Sequence, residues 1–169
     1  VDRAVQHLLK HRGLPYVIQQ FSPYGYDERQ YCSPGFNLPV GCLMRSPHGS
    51  FPEYHTSADN LEFVRPEDLQ VSFNLYRELI EMLEGNRTYM NLNPKCEPQL
   101  GRRGLYDAIG ADSHRKFNQM ALLWVLNLSD NHHSLLDISI KAEMPFREIK
   151  SAADALEKNG LLREATPMN

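Results

Sequence analysis

The chain has 169 residues, 41% of them hydrophobic and 23% charged, the balance of a globular protein with room for one sizeable domain or two small ones. A net charge of −3 argues against a polyanion-binding protein, which normally shows a cationic excess. Cys32, Cys42 and Cys96 form no Cys-x-x-Cys pair, so neither a disulfide scaffold nor a zinc knuckle is expected, and the thiols read as the reduced cysteines of a cytoplasmic protein.

No apolar run approaches the roughly 20 residues that span a bilayer, and no signal peptide opens the chain, so no membrane partner is expected. The sequons at Asn86 and Asn127 then read as chance matches. Val1 is not a methionine and leads straight into a helical pattern, so sequence upstream is expected.

Val5, Leu8 and Leu9 share one side of a short helix that Gly13 should end. Tyr16 to Phe21 is β-branched and aromatic enough for a strand, and a helix, a loop and a strand in this order predict an α/β layer. Residues 22–38 are rich in Pro, Gly, Ser and Asn, yet hold the polar group Asp27-Glu28-Arg29-Gln30 between Tyr26 and Tyr31. Leu38 to Met44 fits a short buried strand, and a second loop, 45–60, contains Glu53-Tyr54-His55-Thr56-Ser57-Ala58-Asp59.

Pro66-Glu67-Asp68 starts a helix, since proline suits the first turn and carboxylates favour the positive end of the helix dipole. Leu69, Phe73, Tyr76, Ile80 and Leu83 follow at helical spacing as a packing face, and Gly85 closes it. Residues 86–115 lack periodicity and read as a domain linker, with domains expected at 1–110 and 111–169.

Beyond the linker the pattern is three short helices and a strand. Phe117, Met120, Ala121, Trp124 and Leu128 mark the first helix, Leu135, Leu136 and Ile138 the second, and Phe146, Ile149, Ala153 and Leu156 the third. Asn159-Gly160 then stops the chain before Leu161–Glu164, the start of a short wing. That order is the order of a winged helix-turn-helix.

His55 is the sharpest site candidate. A strand-proximal loop histidine can offer a neutral nitrogen to a metal, and Asp59 could orient it from behind. Alone, it reads as an ordinary loop histidine rather than a ligand, and the bland reading of Asp27, Glu28 and Arg29 is a solvated, internally paired loop. His132-His133 reads as a polar turn between helices, and Glu53 as a rim charge. Cys32 and Cys42 show no paired histidine of the kind a thiol nucleophile needs.

The segments Tyr26-Asp27-Glu28-Arg29-Gln30-Tyr31, Gly35-Phe36-Asn37-Leu38-Pro39-Val40-Gly41 and Tyr54-His55-Thr56-Ser57-Ala58-Asp59-Asn60, in this order, resemble the final third of a co-catalytic zinc aminopeptidase. They are closer still to a bacterial aminopeptidase-like family of the zinc-dependent exopeptidase superfamily that ends in a winged helix. The resemblance runs from the first helix to Leu162. It implies the C-terminal part of an α/β/α zinc-exopeptidase-like domain followed by a winged helix-turn-helix. It also implies two zinc ions, with His55 as the last ligand and Tyr54 placed to stabilise an oxyanion. Asp27, Glu28 and Arg29 would line the substrate end, although Glu28 stands where many relatives carry histidine. The substrate would be a peptide or related amide. The family's remaining ligands and its general base precede this chain, so the fragment by itself is expected to be inactive.

From Arg115 onward seven Lys/Arg face seven Asp/Glu. A neutral recognition helix gains little from counterion release, so the winged helix is expected to contact protein, as in a homo-oligomer, rather than DNA.

Overall fold

The structure, a computed structural model, describes residues 1–13, 15–106 and 118–165. Its contacts divide the chain into two units, Val1–Glu81 and Met82–Asn169. The division falls inside a helix rather than at residue 110.

In the first unit, α1 (Asp2–Arg12) ends as its sequence dictates: Gly13 adopts the left-handed conformation, φ 63°, and donates its N–H to Lys10 O. The helix buries Ala4, His7, Leu8 and Leu9, with Val5 at the margin. α2 (Asp27–Tyr31) is a single turn, and α3 (Pro66–Gly85) starts at the proline with Glu67 and Asp68 in its first turn. Arg12 pairs with Glu78, Arg45 with Asp68 at 3.0 Å, and the Tyr76 hydroxyl donates to Leu43 O at 2.6 Å.

Neither strand expected in this unit forms. Residues 16–21 are extended but unpaired, with Val17 85% and Phe21 62% exposed. A strand persists only where a neighbour satisfies its backbone groups, and no strand lies among the described residues of this unit. Residues 38–44 turn back on α2 instead: Leu38 N–H donates to Tyr31 O, and Cys32 Sγ donates to Leu38 O at 3.3 Å and to Val40 O at 3.4 Å. The packing face expected on α3 is also exposed. Leu69, Phe73, Tyr76, Ile80 and Leu83 face solvent, and the buried positions are Leu79 and Met82. The spacing was right for a helix, but nothing within the described unit covers that stripe.

The second unit holds a closed core. α4 (Gln119–Leu128), β2 (Asp130–Ser134), α5 (Leu135–Ala142), α6 (Phe146–Lys158) and β3 (Leu162–Glu164) follow in winged-helix order. β1 (Thr88–Asn91), within the stretch read as linker, is the centre of the sheet, in the order β2-β1-β3. It pairs antiparallel with both neighbours, Met90 opposite Asp130 on one side and Arg163 on the other. Leu122, Val125, Leu135, Ile138, Ile149, Ala153 and Leu156 are fully buried. The buried face of α4 is Ala121, Leu122, Val125, Leu126 and Leu128, rotated from the expected stripe, since Met120 is exposed and Trp124 only half-buried. Phe117 lies outside the described residues.

Local chemistry sets the element ends. Ser134 and Asp137 form a capping box at α5, and Gly160 at φ 67° ends the run after α6. His132 and His133 sit in β2 rather than in a turn. Asp130 accepts both their N–H groups and holds the His133 ring at 2.9 Å. Partial desolvation raises the Asp130 carboxyl, but the His132 N–H and the His133 contacts outweigh it and hold it down at about 2.

Tyr89 on β1 is 3% exposed, its hydroxyl 3.5 Å from Glu157 Oε2. Burial, then the negative charge of Glu157, Asp154 and Glu164, pushes this phenol up from 10 to about 12. Below pH 10 both folded and unfolded chains keep the proton. Between 10 and 12 the unfolded chain releases it while the folded one does not, so stability present below pH 10 is lost as pH rises through that window. The expected loss is about 2 kcal/mol. Urea unfolding at pH 9 and pH 12 measures it, and Tyr89→Phe should flatten the difference; an unchanged slope in that variant would refute the assignment.

Candidate functional site

The site residues gather around two turns and the single helical turn of α2. Gly25, at φ 152°, precedes α2 in a region of backbone space that is essentially glycine's alone. A Cβ there would collide with Glu28 Oε1, so the glycine makes room for that carboxylate. The Glu28 charge, after burial, also raises the Cys42 thiol above its ordinary value, which places Glu28 toward Gly25 and Cys42. Asp27 and Arg29, beside it on α2, are exposed.

Tyr26 ties α2 to the second segment. Its hydroxyl lies 3.2 Å from that of Tyr54. The hydrogen bond to Tyr26, with partial desolvation and the neighbouring phenols adding to it, makes Tyr54 harder to ionise than a free tyrosine. A phenol that keeps its proton is a hydrogen-bond donor, the form an oxyanion needs.

His55 follows at φ 58°, a left-handed conformation uncommon for a residue with a side chain. Its ring lies 4.1 Å from that of Tyr54 and is exposed. The cause is the tight turn beyond it: Thr56 N–H and Oγ1 both donate to Glu53 O, Ala58 N–H to Thr56 Oγ1, and Asp59 N–H to Thr56 O. A backbone outlier at an exposed polar side chain is the kind of strain that active sites retain. Asp59 makes neither a hydrogen bond nor an ion pair with His55 among the described residues, so the structure does not bring these two together.

The sequence reading missed His48 and Phe51. The His48 ring packs at 5.3 Å on Tyr26 and 5.8 Å on Tyr54, and Phe51 at 5.6 Å on Tyr54 and 5.7 Å on Phe63. The signal available was Pro47-His48-Gly49-Ser50, a turn tetrapeptide seven residues before His55.

A catalytic zinc normally takes about three protein ligands. No group of three His, Cys, Asp or Glu side chains is placed to hold a metal among the described residues. The described residues therefore do not by themselves fit a catalytic zinc.

A helical unit that presents a phenol–imidazole pair on a turn is followed in the chain by a winged helix-turn-helix, and relatives named as peptidase-like match this chain along nearly its whole length. Residues 1–86, just over half of the chain, match the model of a domain of unknown function, DUF4910, and the chain belongs to that family. Residues 87–164 match a winged helix-turn-helix model. A Clostridium acetobutylicum protein provisionally named for polysaccharide biosynthesis, with an aminopeptidase-like domain, is 54% identical over 163 residues, 96% of this chain and 37% of that protein. A crystal structure from the same organism, provisionally called a peptidase, is 50% identical with a TM-score of 0.85, over 97% of this chain and 36% of its own. The chain thus spans little more than a third of the relatives it matches. None of its described helices is long and apolar enough to cross a membrane.

Proposed function

We propose that this chain is the C-terminal portion of a zinc-dependent aminopeptidase-like hydrolase, cleaving an N-terminal peptide bond or a related amide. The observation that carries the reading is the proton-retaining Tyr54 hydroxyl beside His55 on a strained, solvent-facing turn, joined through Tyr26 to the Asp27-Glu28-Arg29 segment. In this reading His55 is the single metal ligand that this chain contributes to a two-zinc site. Tyr54 donates its hydrogen bond to the oxyanion that develops at the scissile carbonyl. Asp27, Glu28 and Arg29 face the substrate's amine and carbonyl. Asp59, four residues on in the same segment, is the carboxylate proposed to orient His55.

The family's other ligands belong to a longer protein with an α/β/α core, and the exposed apolar surface of the first unit supports that. Val17, Phe21, Phe36, Leu69, Phe73 and Ile80 are each more than half exposed, an unusual number of large apolar side chains for so short a unit. Its natural cover is the rest of such a domain. A related protein's provisional link to polysaccharide biosynthesis admits an amide on a sugar as well as a peptide.

The winged helix is proposed to contact protein, in a homo-oligomer, rather than DNA. The charges of α6 balance: Arg147, Lys150 and Lys158 stand against Glu148, Asp154 and Glu157, and Lys150 bonds Asp154 at 2.6 Å. A phosphate backbone would find no net positive charge on that helix. The unpaired cysteines suit a cytoplasmic setting.

Metal content decides the central claim. Full-length protein is expected to hold about two zinc ions, falling to one or none in His55→Ala, with hydrolysis lost. Zinc-replete protein that binds no metal would leave only a scaffold.

A further inference from the structure

The turn before the site carries a residue that the proposed chemistry has not yet used. Ser50 N–H donates to Pro47 O at 3.1 Å, and Ser50 Oγ donates to the same oxygen at 2.7 Å. Gly49 has φ 74° with open space where a Cβ would stand. A positive φ at the third position of a closed four-residue turn is the mark of type II, which explains the glycine and fixes the direction of the preceding residue. That residue is His48.

His48 closes a three-ring arrangement. It stands perpendicular to Tyr26, at 89° and 5.3 Å, and tilted by 38° against Tyr54 at 5.8 Å, while the third side is the hydroxyl-to-hydroxyl bond between the two tyrosines. The edge-to-face contact on Tyr26 and the tilted contact on Tyr54 both favour a fixed ring geometry. They act on two rings that are otherwise exposed or half-buried. A phenol that must meet an oxyanion within a few tenths of an ångström gains from a ring that removes its swing.

We infer that His48 is a positioning residue: through ring packing fixed by the Pro47–Ser50 turn, it holds the Tyr26–Tyr54 hydroxyl pair in the geometry that presents Tyr54. The role of Tyr54 rests on the hydrolase reading above; the positioning itself does not.

The test uses full-length protein with carbon-13-labelled tyrosine rings, the Tyr26 and Tyr54 signals being assigned with Tyr26→Phe and Tyr54→Phe variants. His48→Ala is expected to abolish the ring-current shift of Tyr26 and to change that of Tyr54, which keeps the Phe51 and His55 rings, with both tyrosine signals averaging toward faster ring motion. His48→Phe is expected to restore them, because the ring rather than the imidazole chemistry is what packs. Gly49→Ala, strained at φ 74°, should reproduce the alanine result without touching the ring. The amide spectrum of the winged helix serves as the folding control. Unchanged Tyr54 signals in His48→Ala, or failure of His48→Phe to restore them, would overturn the proposal. With leucyl p-nitroanilide as the probe, His48→Ala should lower kcat about tenfold with KM unchanged. If the wild-type protein leaves that anilide and zinc untouched, the hydrolase reading fails, and the ring signals still decide the case for His48.

Discussion

A polypeptide starting at Met82 is expected to fold into a cooperative winged helix, whereas one starting at residue 111 is expected to remain largely unfolded. The shorter piece keeps all three helices but loses β1, the strand on which both sheet edges depend. With it go Leu135 N–H to Arg87 O, Asn91 N–H to Ser129 O and Ala165 N–H to Thr88 O, leaving those partners unpaired. Tyr89, Leu100 and Leu105, at 3%, 1% and 5% exposure, leave the core as well. Burying three such side chains contributes about 6 kcal/mol, against a total stability of roughly 5–15 kcal/mol for a whole domain. Very small domains sit at the low end of that range. Far-UV circular dichroism with thermal melting separates the two pieces, and a sigmoidal melt from the 111–169 polypeptide would defeat the argument.

Leu156→Ala is expected to cost the second unit about 3 kcal/mol, in the range of buried leucine truncations. Leu156 is fully buried on α6, the helix against which α4 and α5 both pack. Phe73→Ala, at a ring 62% exposed, should cost the same chain less than about 0.5 kcal/mol, as exposed substitutions usually do. Urea unfolding gives both values. Comparable losses for the two would mean that the apolar face of α3 is packed after all.

The contrast explains what the sequence could and could not reveal. Helix ends are written in a few adjacent residues, so Gly13, Pro66 and Asn159-Gly160 were read correctly, and Ser134-x-x-Asp137 caps its helix by contacts within one turn. Strands are written in their partners. Residues 16–21 have strand composition and no partner in this unit, while Thr88–Asn91 has four unremarkable residues and two partners far along the chain. Composition therefore named the wrong segments. The same logic governs the site: Tyr54 and His55 stood out through their shared motif and lie side by side, while Tyr26, quoted only as a flank of Asp27-Glu28-Arg29-Gln30, meets Tyr54 through its hydroxyl. His48 carries no motif and enters only through ring geometry. Asp59 suited an orienting role by spacing, but spacing alone does not set where a side chain on a tight turn points, and no contact joins it to His55 among the described residues.

The position of β1 at the centre of the sheet also sets an order of events at the ribosome. Met90 and Arg163 face each other across 73 residues of chain. At about 5–20 residues per second, β1 waits roughly 4 to 15 s for β3 to be made. β2 becomes available first, so a two-stranded ribbon with Tyr89 still half-covered precedes the closed sheet. The final strand then acts as a latch. A ribosome that stalls or terminates shortly before Leu162 releases a chain with its helices complete and an open sheet edge, the form most prone to pair with another nascent copy.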